Sequence, residues 1–231
     1  MLTRVVNFVA LVPQLIRVEG RYRRLVRTEL PADFERIRGS IARRNLGPRE
    51  DTKKYLRARW YLREGLCRAK KLGLHRERPR RILDLGSGAG YFLAVARSMG
   101  HQVHGLDLDD NELYNRISDA FGLQRFAGRI AAFESLDVPP LKFDLITAFS
   151  VTFDRDAERH RWRRDEWQFL LRDLHRLLAD DGRICLRLNR HVTQPASELA
   201  AMFTGAEGFD CRVRDFRSVV LVRSESPLAG A

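Results

Sequence analysis

Five residues, Gly86-Ser87-Gly88-Ala89-Gly90, stand between a short apolar run, Ile82-Leu83-Asp84-Leu85, and an apolar stretch from Tyr91 to Met99. Glycines at alternate positions free the backbone for left-handed conformations and remove side chains that would hold a ligand away. Two acids accompany them. Asp84 lies two residues before the first glycine, and Asp107 ends the next apolar run, Val103-His104-Gly105-Leu106-Asp107. A carboxylate at the end of a second strand can accept hydrogen bonds from both hydroxyls of a ribose, each contributing about 1.5–3 kcal/mol. Spacing narrows the ligand further. The dinucleotide pattern G-x-G-x-x-G/A, begun at Gly86, requires a small residue where Tyr91 stands, and the Gly-Lys-Ser/Thr ending of a phosphate loop is absent. The turn therefore suits close approach of backbone to a flat ligand and is not built for two phosphates. Capping of the following helix, the competing role for an acid here, fits Asp109 or Asp110 better than Asp107.

The elements that must position these groups follow in order. Run, helix and run form a βαβ unit, whose parallel strands imply a right-handed crossover and a sheet covered on both faces. Arg129–Phe133 reads as a third strand and Phe143–Phe149 as a fourth. Trp167, Leu170, Leu171, Leu174, Leu177 and Leu178 mark one face of a helix, with Asp165 and Gln168 as a capping box and Gly182 as its stop. Arg183–Leu188 is a fifth strand, Ser197–Thr204 is helical, and Phe209–Val213 with Ser218–Val222 form a closing hairpin.

The segment from Ile82 to Phe92, followed by Val103 to Asp107, closely resembles the first two motifs of class I S-adenosylmethionine-dependent methyltransferases. The resemblance runs from about Arg81 to Arg223. It implies an α/β fold: a Rossmann-like sheet, mostly parallel with an antiparallel last strand, binding S-adenosyl-L-methionine as cofactor. By that resemblance Asp84, Gly86, Gly88 and Gly90 line the methionine half, and Asp107 holds the ribose diol. Glu134, Ser135 and Leu136 take the adenine-side position after the third strand, and Asp144 is a structural acid. Phe143–Phe149 together with Asp165–Leu174 looks like a bacterial subgroup of the superfamily with no named substrate. The acceptor pocket is then expected after strands four and five. Asp154 would act there as base or amine-orienting carboxylate, Phe153 as a wall, and Asn189, Arg190 and His191 as substrate contacts. His101 and His104 fall on the cofactor half and read as structural. Two nucleic-acid chemistries lack their residues. No Asn/Asp-Pro-Pro-aromatic turn follows strand four, and no cysteine sits near these loops to attack cytosine.

Composition closes off other classes. Of the 231 residues, 44% are hydrophobic and 31% charged, which suits a folded core. Cys67, Cys185 and Cys211 have no paired spacing, so neither a disulfide scaffold nor a zinc ribbon is expected, and no metal. No apolar run nears the roughly 20 residues of a membrane span. Arg4 and the apolar run after it imitate a secretory signal, but no small-x-small cleavage site follows; a cytoplasmic protein is expected, with peripheral membrane contact left open. Charge is uneven: residues 1–81 carry 23 Lys and Arg against 8 Asp and Glu, and the remainder 19 against 22. This divides the chain into a basic helical region, 1–80, as lid or docking surface, and a methyltransferase domain, 81–231. In the first, a helix from Asp51 to Gly73 interleaves Leu56, Trp60, Leu62 and Leu66 with lysines and arginines. The expected activity is methyl transfer to a small-molecule, sugar or lipid-linked acceptor. An RNA methyltransferase using the basic region, and a cofactor-binding adaptor without catalysis, are the alternatives.

Overall fold

The computed structural model describes residues 19–20, 22–29, 36–37, 39, 54–151, 161–187, 196–204, 208–215 and 218–223. The signal-like stretch lies outside the described residues. The main elements are α1 (Ala58–Leu72), β1 (Arg81–Leu85), α2 (Tyr91–Ser98), β2 (Gln102–Asp107), α3 (Glu112–Ala120) and β3 (Gln124–Ala127). They continue with β4 (Phe143–Phe149), α4 (Arg164–Leu177), β5 (Leu178–Arg187), α5 (Ala196–Phe203), β6 (Phe209–Asp215) and β7 (Ser218–Arg223).

The strands form a seven-stranded sheet in the order β3-β2-β1-β4-β5-β7-β6. β1 and β4 pair in parallel, as do β4 and β5, while β7 runs antiparallel to both β5 and β6. The strand order reverses between β1 and β4, where Asp84 lies opposite Thr147. That reversal is the place where open α/β sheets bind ligands.

The residues group into two compact units interleaved along the chain: 1–79, 88–103 and 109–124 in the first, 80–87, 104–108 and 125–231 in the second. In the second unit Leu83, Leu85, Ile146, Ala148, Ile184, Leu186, Val219 and Leu221 from the strands form one core with Trp167, Leu170, Leu171, Leu174 and Leu177 of α4. The near-continuous burial of β4 is what a strand covered on both faces requires. Trp167 is fully buried, its ring 5.3 Å from those of Trp162 and Phe203. In the first unit α1 buries Leu62, Leu66 and Ala69. A Cβ on Gly65 would stand 3.1 Å from the Tyr91 carbonyl oxygen, so the glycine lets α1 lie close on α2. Gly73 ends α1 in the left-handed conformation, φ 81°. His101 is buried with Nε2 3.1 Å from the Leu74 carbonyl oxygen, a structural role as expected.

Several local expectations give way. The third strand is Gln124–Ala127 rather than Arg129–Phe133. The Gly128 N–H donates to the Asp107 carbonyl, Phe133 turns left-handed at φ 57°, and Ile130 and Ala132 pack on the core from an irregular stretch. The helix expected from Asp51 begins at Ala58, after a 3₁₀ turn at residues 54–56. Asn111, not Asp109 or Asp110, caps α3, its Oδ1 accepting from the Tyr114 N–H at 3.2 Å. On α4 the capping carboxylate is Glu166, which accepts from the Arg163 N–H at 2.5 Å, in place of the Asp165 and Gln168 pair. Gly182 does not stop that helix. β5 starts directly at Leu178, and a Cβ on Gly182 would meet Leu178 at 2.7 Å, so the chain doubles closely on itself there.

Candidate cofactor site

The second unit supplies two strand ends. Asp84, on the last turn of β1 into the loop, is buried, and its Oδ1 accepts from the Thr147 hydroxyl at 2.6 Å. The carbonyl of Leu106 accepts from both Gly86 N–H (2.7 Å) and Ser87 N–H (3.2 Å). These two bonds tie the start of the glycine loop to the end of β2, one residue before Asp107. Asp107 keeps its place through the Gly128 N–H on its carbonyl, and its Oδ1 accepts from the Leu108 N–H at 2.8 Å. Asp144, at the start of β4, does the structural work expected of it. Its Oδ2 accepts from the Arg81 N–H at 2.6 Å, and Arg80 lies 3.4 Å from Oδ1.

The three glycines all have positive φ: 64° at Gly86, 55° at Gly88 and 76° at Gly90. They differ in what surrounds them. A Cβ at Gly86 would meet Val151 at 2.6 Å, and one at Gly90 would collide with Leu123. Both are packed by the chain itself. At Gly88 the nearest atom to such a Cβ is a ring carbon of Tyr114 at 3.9 Å, and among the described residues, its chain neighbours aside, nothing else lies within 4 Å. This glycine has open space beside it. Next to it the buried Ser87 Oγ has no hydrogen-bond partner among the described residues. A buried hydroxyl in a native fold ordinarily has a partner. The loop thus offers a bare, left-handed backbone position and a hydroxyl free to meet a polar ligand, which fits an adenosyl amino acid. Ser87 and Tyr114 carry no signal in the sequence beyond adjacency to the glycines and to Asp107.

The adenine-side trio divides. Glu134 and Ser135 are exposed, whereas Leu136 is buried, with its N–H donating to Asp173 Oδ2 at 2.7 Å and its carbonyl accepting from Arg176 at 2.7 Å. Phe153, Asp154, Asn189, Arg190 and His191 lie outside the described residues. Cys185 is buried in β5, consistent with packing, and burial pushes the Cys211 thiol up from its ordinary pKa. No described helix is long and apolar enough to cross a membrane.

Comparison with known proteins agrees with this geometry. No curated protein matches the chain. Solved structures do. A TehB-like S-adenosylmethionine-dependent methyltransferase from Corynebacterium glutamicum is 20% identical, with 68% of this chain and 86% of that chain covered at a TM-score of 0.53. DesVI from Streptomyces venezuelae is 12% identical, covering 71% of this chain and 92% of its own, also at 0.53. The mitomycin 7-O-methyltransferase MmcR, 15% identical, covers 92% of this chain and 69% of its own at 0.50. These likenesses concern the fold. The model of the methyltransferase domain family matches residues 57–205, well over half of the chain. With that match and a Rossmann-like sheet, the chain belongs to the methyltransferase domain family and is a class I S-adenosylmethionine-dependent methyltransferase.

Proposed function

We propose that Asp84, Gly86, Gly88, Gly90 and Asp107 hold S-adenosylmethionine and that the chain passes its methyl group to a small-molecule, sugar or lipid-linked acceptor. The observation that carries the binding half is the contrast among the glycines: Val151 and Leu123 crowd a Cβ at Gly86 and Gly90, whereas among the described residues nothing crowds one at Gly88. When bound, the cofactor supplies an electrophilic methyl on a sulfonium and a thioether leaving group. The chain's share is placement. The Asp107 carboxylate accepts from the ribose hydroxyls, the Gly88 backbone lies against the amino-acid half, and the Ser87 hydroxyl gains the partner it otherwise lacks. Glu134 and Ser135 flank the adenine, with Leu136 as the anchor that fixes them to α4. Asp154 takes a proton from the acceptor or orients its amine, and Phe153, Asn189, Arg190 and His191 surround it. Holding nucleophile and methyl in line is the main source of rate in such a reaction.

The small-molecule reading rests on the absence of the nucleic-acid base motifs from the sequence and on likeness to a fold that a mitomycin O-methyltransferase also uses. One observation keeps RNA in view. Trp60 is 56% exposed on α1, among exposed Arg57, Arg59 and Arg63, an arrangement that can stack on a base and grip phosphates. The deciding experiment feeds methyl-labelled cofactor to the protein with fractionated lysate. Label in the small-metabolite or lipid fraction supports the proposal, and label in RNA transfers it to the alternative. Cofactor binding with no labelled fraction leaves an adaptor. A protein that takes up NADH and ignores S-adenosylhomocysteine refutes the site altogether.

A further inference from the structure

Strand β4 carries one hydroxyl among its apolar residues. Leu145, Ile146 and Ala148 are buried, and Thr147 between them is fully buried as well. A β-branched side chain suits a strand, but valine has nearly the same shape and would fill the place with no polar atom to satisfy. The hydroxyl therefore needs a reason, and register supplies it. Thr147 lies opposite Asp84 across the parallel pair of β1 and β4, where the strand order reverses. Its Oγ1 stands 2.6 Å from Asp84 Oδ1 and 3.4 Å from the Leu83 carbonyl oxygen. A hydroxyl has one proton to give, and the shorter contact takes it.

That short length is typical of a hydroxyl donating to an ionised carboxylate. Asp84 is itself buried, and a buried charge is costly unless hydrogen bonds support it. The Thr147 hydroxyl gives such support and fixes the rotation of the carboxylate just where β1 hands over to the glycine loop. A carboxylate held in this way suits a cation. The amino-acid half of S-adenosylmethionine brings one, its α-ammonium. S-adenosylhomocysteine keeps that group and methylthioadenosine lacks it.

Resting on the cofactor reading above, we propose that Thr147 is a positioning residue whose hydroxyl holds Asp84 for the ammonium of the cofactor, so that the site prefers adenosyl amino acids to adenosyl compounds without the amino acid. Being fully buried, Thr147 acts through Asp84 and not by its own contact with the ligand.

Calorimetric titration of the full chain with S-adenosylmethionine, S-adenosylhomocysteine and methylthioadenosine tests this. In Thr147→Val the affinity for the two amino-acid compounds should fall roughly tenfold, the scale of one hydrogen bond to a charged group. That for methylthioadenosine should change less than about twofold. Thr147→Ser keeps the hydroxyl and drops a buried methyl, so it should be less stable than the wild type yet bind all three compounds as the wild type does. In an Asp84→Asn background, Thr147→Val should add nothing to the loss that Asp84→Asn causes alone. Should Thr147→Val fail to fold, Thr147→Cys, of similar size and only a weak donor, carries the same prediction for the three compounds. Equal losses for all three, no loss for any, or a serine variant as weak as the valine one overturns the proposal while the cofactor reading stands. A wild-type chain that binds none of the three overturns the cofactor reading itself, and this inference with it.

Discussion

The glycine loop, 86–90, and the irregular stretch 128–142 both follow strands of the sheet, and both belong to the expected cofactor side. They are held in opposite ways. The loop is set by its own residues: left-handed glycines, two N–H groups on the Leu106 carbonyl, and an unfilled space at the centre. The stretch 128–142 is set from afar. Asp173, buried on α4, accepts from the Leu136 N–H and pairs with Arg176 at 2.5 Å, while Arg176 reaches back to the Leu136 carbonyl. One region is conformation written into a short run of residues; the other borrows its shape from a helix far along the chain.

If that contrast holds, substitutions in the loop separate stability from binding. Gly90→Ala adds a methyl at φ 76° into the space of Leu123. Left-handed strain and overpacking together should cost about 3 kcal/mol, read as a lower urea midpoint. Gly88→Ala meets no such neighbour and should cost about 1 kcal/mol of stability. Its cofactor affinity should nevertheless fall at least about tenfold, because the methyl stands where the ligand must approach. Equal stability losses in the two variants, with binding intact in Gly88→Ala, would break the distinction between packed and open glycines.

The distant clamp gives the next largest effect. Asp173→Ala leaves the Leu136 N–H buried without that acceptor and takes the carboxylate from Arg176, which keeps its bond to the Leu136 carbonyl. Arg176 is 41% exposed, so water takes over part of its loss, and about 2 kcal/mol is expected in denaturant unfolding. Asp173→Asn, which keeps an acceptor for the N–H, should recover a good part of that. A variant as stable as the wild type would show that 128–142 holds itself.

These magnitudes follow what could and could not be read in advance. The loop, Asp84, Asp107, the structural Asp144 and the face of α4 were legible because each rests on neighbours a few residues away. The closing hairpin was legible too, from the two short runs Phe209–Val213 and Ser218–Val222 and the antiparallel last strand that the resemblance implies. Strand β3 was not. Ile130 and Ala132 imitate a strand because both pack on the core, and only the Gly128 bond to Asp107 shows that pairing has ended by then. The N-caps were misplaced by one or two residues, since several polar residues compete at each helix start and packing chooses among them. The bond from the Tyr91 hydroxyl to the Tyr55 carbonyl spans 36 residues, and nothing in either neighbourhood announces it.

Asp107→Ala sharpens the binding side of the contrast. Its carboxylate accepts from the exposed N–H of its sequence neighbour Leu108, so the fold should stand, with the unfolding midpoint nearly unchanged. Removing the acceptor of two ribose hydrogen bonds should weaken cofactor binding by about one to two orders of magnitude in calorimetry. Unchanged affinity would take Asp107 out of the site.

The smallest effect is a pH response confined to the region that α4 holds. His175 lies in the last turn of α4, edge-on to Phe209 at 5.3 Å. Burial lowers its pKa from 6.5, and Arg223 and Lys142 lower it further. The sign follows from linkage. Above 6.5 the imidazole is neutral in both states and contributes nothing. As pH falls below 6.5 the unfolded chain takes up the proton first, so stability declines until the folded chain titrates as well. Urea unfolding at pH 7.5 and 5.5 should show the loss, and His175→Gln, which cannot titrate, should shrink it. The glycine loop contains no histidine. Cofactor affinity in His175→Gln should therefore follow the wild-type pH profile, and a divergence there would mean that the end of α4 and the loop are not held independently.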